Sequence, residues 1–315
     1  MVDAKLPQLT GGLFLSDGGL ETTLIFQEGV DLPHFAAFVL LQDEAGRERL
    51  QRYYRPYLEL CASTPGAGFV LETPTWRANP DWGRLLGYDS SALEQANVDA
   101  ARLVSLLRDE WRSRLTGPVV LSGIIGPRGD GYVVAAPSSA ADAAAYHLPQ
   151  ALALKKGGVD MLSAVTMTTC AEAMGVARSA KAIGLPVAIS FTVETDGRLP
   201  SGESLREAIE QVDADSAPSY FAVNCAHPSH FEACFADGGV WTSRIRAIRA
   251  NASTRSHAEL DVATELDIGD PADLAELYRR LRGPLPALNV LGGCCGTDGR
   301  HLRAIRDAWV QQRPM

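Results

Sequence analysis

The sequence has no uninterrupted apolar run approaching the roughly 20 residues that a bilayer crossing needs. Its first residues, MVDAKLPQLTGG, lack the apolar stretch of a secretory leader, so a cytoplasmic protein is expected. Positive charge is not in excess either. The 29 Lys and Arg face 38 Asp and Glu, a formal charge of −9, and this leaves no basic footprint for nucleic acid or an anionic membrane. No Pro/Ser-rich linker, low-complexity tract or short repeat divides the chain, so one domain over residues 1–315 is expected. Disulfides are not needed for a core, because a chain of this length buries roughly three quarters of its unfolded surface.

What is present is a recurring unit, a short β-rich run followed by a longer amphipathic one. Candidate strands are Leu13–Ser16, Gly68–Leu71, Val119–Ile125, Met161–Val165, Val187–Val193, Tyr220–Asn224, Ile245–Ala250 and Ala287–Leu291. Helical patterns lie between them, as at Asp43–Leu60, Ser90–Arg114, Ser139–Lys156, Thr169–Ile183, Ser204–Val212, Pro271–Leu281 and Thr297–Gln311. Parallel crossovers need helix-sized connections, and eight such units fit a closed (β/α)8 TIM barrel. The alternative, an open dinucleotide-binding sheet, should carry G-x-G-x-x-G after its first strand. Here that strand runs into Asp17-Gly18-Gly19-Leu20-Glu21, which lacks the spacing, and no Walker motif occurs.

A barrel of this kind places its reactive groups where strands end. Those ends carry Asp17, Glu72-Thr73-Pro74-Thr75-Trp76, Gly126 to Asp130, Thr166, Glu194, Asn224-Cys225, Asn251 with Ser253, and Gly292-Gly293-Cys294-Cys295-Gly296-Thr297. Three of the six cysteines are in this set. Cys61, Cys170 and Cys234 read as small packing residues. Consecutive strand residues point to opposite faces, but Gly292, Gly293 and Gly296 permit a path that turns Cys294 and Cys295 toward one centre, which Cys225 reaches from the sixth strand. Three thiolates with one open position make a zinc site of the catalytic type. Two other readings stand beside it: a redox-active vicinal dithiol of Cys294 and Cys295, and a closed structural site with His227 as fourth ligand.

The early Asp17-Gly18-Gly19, the mid-chain Val223-Asn224-Cys225 and the late Gly292-Gly293-Cys294-Cys295-Gly296-Thr297 together resemble the homocysteine S-methyltransferase family over nearly the whole chain. Gly126-Pro127 and Ser190-Phe191-Thr192 fall in the same order. The resemblance implies a (β/α)8 barrel, one zinc per chain on Cys225, Cys294 and Cys295, and methyl transfer to homocysteine in methionine biosynthesis. It also implies that Asp17 contacts the acceptor's amino group. Where many members carry an acid just after the fourth strand, the matching position here is Val165; either Glu21, Glu72 or Thr166 stands in for it, or the acceptor is a different thiol. Related enzymes often have tyrosine and glutamine where this chain has Trp76 and Arg77.

The chemistry suits these residues. A free thiol with a pKa near 8.5 is mostly protonated at neutral pH, yet the thiolate is the nucleophile, and zinc deprotonates a bound thiol. Asn224 is expected to orient the cysteine-bearing loop. Trp76 and Tyr132 are candidate walls for a cationic methyl donor. Glu72 and Glu194 are candidates to balance its charge, and Thr73 is a further candidate contact. The partners expected are a small thiol and a small sulfonium or betaine donor. The apolar pattern marks no dimer face, so monomer and homo-oligomer both stay open.

Overall fold

Period-two alternation sorts each strand's side chains onto two faces, and the barrel uses both. A computed structural model describes residues 6–134 and 138–311; the rest of the 1–315 domain expected from sequence lies outside the described residues. Its strands are β1 (Phe14–Leu15), β2 (Gly68–Glu72), β3 (Val119–Ile125), β4 (Met161–Met167), β5 (Val187–Phe191), β6 (Tyr220–Asn224), β7 (Ile245–Ala250) and β8 (Val290–Gly293). They pair in parallel and in sequence order, and β1 closes onto β8. This is the expected (β/α)8 barrel.

Each strand leads into a helix: α1 (Glu44–Ala62), α2 (Ser90–Trp111), α3 (Ala140–Gly157), α4 (Cys170–Ile183), α5 (Leu205–Ser216), α6 (Pro228–Phe231), α7 (Pro271–Leu281) and α8 (Gly299–Val310). Side chains of Asp43, Asp89, Ser139, Thr169, Ser204, Asp270 and Asp298 accept the first free N–H groups of their helices. The four-residue α6, which the sequence pattern did not indicate, leaves the loop after β6 short.

Phe14, Val70, Val120, Met161, Ala188, Tyr220, Ala247 and Val290, one from each strand, form an apolar tier inside the barrel. Their neighbours Leu15, Phe69, Leu71, Leu121, Ile189, Phe221 and Ile248 belong to the larger core outside it. The turn Pro7–Thr10 packs against the inner tier's end, with Gln8 Nε2 3.2 Å from Met161 Sδ and Asn289 Nδ2 donating to Gln8 O at 2.7 Å. Two residues further along their strands, the alternation brings in a polar tier of Ser16, Glu72, Ser122, Ser163, Ser190 and Arg249, and Asn224 joins it four residues beyond Tyr220. The site is built on that tier, at the strands' C-terminal ends.

Five strands differ from expectation: β1 is only Phe14–Leu15, β2 runs one residue further to Glu72, β5 stops at Phe191, and β8 and β4 end later. β8 is not Ala287–Leu291 but lies two to three residues later, because Leu288 still belongs to a turn in which its N–H donates to Leu285 O. Gly292 and Gly293 end the strand, and both positions need glycine because a Cβ there would strike Ser16 Oγ and Thr297 Oγ1 respectively. β4 runs on to Met167 through an irregularity in which Thr166 has a left-handed φ of 61°. Among the described residues, no helix is long and apolar enough to cross a membrane.

Candidate active site

β7 acts as a splint between the two cysteine-bearing strand ends. The Cys225 N–H donates to Arg249 O at 3.1 Å on one side, and the Cys294 N–H donates to Ala250 O at 2.8 Å on the other. Tyr278 ties β7 to β8 from outside, donating to Gly292 O at 2.6 Å and accepting from the Ala250 N–H at 2.8 Å. As a result the sulfurs of Cys225, Cys294 and Cys295 all lie within 4.8 Å of one another. Cys225 and Cys294 are joined as a disulfide, and Cys295 is a free thiol. In this arrangement Cys294 pairs with the cysteine across β7 and not with its chain neighbour Cys295. His227 is not in the cluster. It caps α6, with Nδ1 2.8 Å from Ser229 Oγ, and burial pushes its pKa down to about 4.

The donor set fits zinc once the disulfide is reduced. Three soft sulfurs within 4.8 Å of one another can take the roughly 3.8 Å separations that tetrahedral Zn–S bonds of about 2.3 Å require, once Cys225 and Cys294 are reduced and part. Burial holds the Cys295 thiol up at about 11, with the Tyr132 hydroxyl, 3.7 Å from its sulfur, pulling the other way.

Asn224 fastens this corner. Its Oδ1 accepts from the Thr166 N–H at 2.9 Å and from Ser190 Oγ at 2.6 Å, while its Nδ2 donates to Thr166 Oγ1 at 2.9 Å. Cys225, next along the chain, has a left-handed φ of 53°. Such a conformation in a non-glycine residue persists only where surroundings enforce it. Here the Cys225 carbonyl accepts from Asn251 Nδ2 at 3.0 Å and lies 2.6 Å from His257 Nε2.

The cavity above the sulfurs is lined by Asp17, Glu21, Glu72, Thr73, Trp76, Tyr132, Val165 and Thr166, among others. Thr73 is tied down by Thr75 Oγ1 at 2.6 Å and by the Ile124 N–H at 2.9 Å. Asp17 does not stand free. Arg249 Nη2 donates to Asp17 Oδ1 at 2.6 Å and Arg249 Nη1 meets Glu72 Oε2. Burial pushes the Asp17 carboxyl up against the pull of that guanidinium. Burial also raises Glu21, to about 7.

Trp76 carries the Arg77 guanidinium on its ring at 3.9 Å, and Trp82 covers the same cation at 4.0 Å. Tyr132 stacks on His257 with ring centroids 4.0 Å apart. Each candidate aromatic wall therefore has one partner already. Glu194 does not line the cavity. It lies 3.2 Å from His257 Nδ1 and so backs the residue that holds the Cys225 carbonyl.

Sequence reasoning missed Arg249 and His257. The alternation of β7 carried a signal for Arg249, two residues beyond the inward Ala247; His257 lies in a loop where no local pattern marks it.

A family model described as homocysteine S-methyltransferase matches residues 14–309. Three crystal structures of the homocysteine methyltransferase MmuM from Escherichia coli are similar, each at 19% identity. The oxidized form has a TM-score of 0.75 over 94% of this chain and 95% of that one; the metallated form has 0.72 over 94% and 96%. The apo form has 0.67 over 96% and 99%. With the family model covering nearly all of the barrel, this chain is a methyltransferase belonging to the homocysteine S-methyltransferase family.

Proposed function

We propose that the protein moves a methyl group from a small sulfonium or betaine donor to a thiol activated at a zinc site formed by Cys225, Cys294 and Cys295. Homocysteine, giving methionine, is the acceptor that the family description names. The observation that carries this reading is the convergence of three sulfurs at the open end of the barrel. The metallated form among the similar structures supports it.

Bound zinc would supply the Lewis acidity that makes an acceptor thiol a thiolate at neutral pH. The chain's own residues do the rest. Asn224 and His257 hold the backbone that aims Cys225, and the Tyr132 hydroxyl sits beside Cys295. Asp130, Asp261, Glu265 and Asp267 line the outer cavity with negative charge suited to a cationic donor. Trp76 and Tyr132 flank it as aromatic walls, and Thr73 and Thr166 border the acceptor side. In the reaction a new S–C bond forms as the donor's S–C or N–C bond breaks with its electron pair, so the donor leaves without its positive charge and the thiol proton passes to solvent. Collinear placement of the two groups is what such a displacement gains from a rigid barrel.

The test is a screen of homocysteine and simpler thiols against S-methylmethionine, S-adenosylmethionine and betaines, with methylated thiol read by mass spectrometry. A methylated thiol that disappears on chelation supports the reading. No product from any pair overturns it.

A further inference from the structure

We propose that Arg249 sets the acceptor specificity of this site, serving as the internal counter-ion of Asp17 and Glu72 so that the enzyme takes thiols without reading an α-ammonium group. The inference rests on the thiol methyl-transfer reading above.

Arg249 is held on every side. Its Nη2 donates to Asp17 Oδ1 at 2.6 Å and to Gly18 O at 3.3 Å, its Nε donates to Gly293 O at 3.1 Å, and its Nη1 meets Glu72 Oε2. Four of the five N–H groups of a guanidinium are thereby engaged. The three charged side chains are 15%, 5% and 9% exposed for Arg249, Asp17 and Glu72. Separating a buried pair of this kind strands an unpaired charge, so an incoming ammonium cannot cheaply displace the guanidinium.

The fold makes room for this arrangement. A Cβ on Gly292 would lie 3.1 Å from Arg249 Cγ and would strike Ser16 Oγ, so the glycine opens the passage from β7 to Asp17. A second observation points the same way. Val165 faces the same cavity with an apolar side chain and offers no carboxylate to an ammonium. An ammonium at Asp17 would also sit beside the fixed positive charge of Arg249, an arrangement that disfavours both cations.

The experiment compares homocysteine with 4-mercaptobutanoate, which is homocysteine without its amino group, by kcat/KM and by calorimetric binding to the zinc-loaded protein. The expected result is that the two thiols agree within about fivefold, whereas a site built to bond the ammonium would reject the second by about a hundredfold or more. The variant Arg249→Met exposes both carboxylates and is expected to shift the ratio toward homocysteine by about tenfold or more. Because that variant removes the counter-ion of two buried carboxylates and threatens folding, Asp17→Asn carries the test independently; it leaves the Arg249–Glu72 contact and is expected to keep the acceptor ratio within about threefold of wild type. A wild-type preference for homocysteine that Asp17→Asn abolishes overturns the proposal. So does failure of either thiol to bind. Equal binding of both thiols without methylation upholds the role of Arg249 and instead overturns the proposed reaction.

Discussion

Cys225 and Cys294 lie with their Cα atoms 5.4 Å apart on either side of β7, although 69 positions separate them in the chain, and their sulfurs are bonded. The same sulfurs cannot serve as two thiolate ligands while bonded to each other. Oxidised protein is therefore expected to bind no zinc, and treatment with a thiol reductant is expected to restore binding. Intact mass should show the oxidised form two hydrogens lighter, and peptide mapping should place the bond at Cys225 and Cys294. Full zinc binding by the oxidised form would contradict this.

Asn224 makes three hydrogen bonds in a buried corner, two of them to Thr166. Asn224→Ala leaves the Thr166 N–H without its acceptor. The expected cost is about 1–3 kcal/mol in urea unfolding, the range for stranding a buried polar group. Because Asn224 adjoins Cys225 in its left-handed conformation, zinc affinity is expected to fall as well. Unchanged stability would show that the loop does not depend on this amide.

Gly19 allows the loop after β1 to pass close to the cysteine loop. A Cβ there would lie 2.5 Å from Cys294 O and would strike Thr22 Oγ1. Gly19→Ala is expected to push the Cys294 backbone out of place and to lower zinc affinity by about tenfold or more, since misplaced ligands cost metal binding steeply. Competition with a chromogenic chelator measures this. Gly12→Ala is the control, because no atom lies within 4 Å of the added Cβ.

Glu21 supplies a pH signature. Burial raises its pKa from the ordinary 4.5 to about 7. The folded state therefore binds its proton more tightly than the unfolded chain, so the contribution to stability is full below pH 4.5 and is lost as pH rises through about 7. Melting temperature is expected to fall over that window in the wild type, and to fall less in Glu21→Gln. Identical pH profiles would remove Glu21 as the cause.

The barrel was legible because each strand is a short β-rich run and each connection is helix-sized, and the strand ends then pointed to Cys225, Cys294 and Cys295. The alternation that puts Val70 and Ala247 inward also puts Glu72 and Arg249 inward two residues later. It does not say that these two side chains meet, because pairing across the barrel depends on strand stagger. Glu194 illustrates the same limit. It stands near the fifth strand as expected, yet it turns to His257 and not to the cavity. The end of β8 was misread because glycines carry no β signal, although their missing side chains are what let Ser16 and Thr297 pack there.

Cys225, Cys294 and Cys295 are expected to hold one metal ion between them. The direct measurement is zinc per chain in freshly reduced protein, by elemental mass spectrometry, for the wild type and for Cys225→Ser, Cys294→Ser and Cys295→Ser. The expected values are about one for the wild type and close to zero for each variant after dialysis against a weak chelator. Wild-type protein without zinc, or a serine variant that keeps it, would contradict a three-cysteine zinc site.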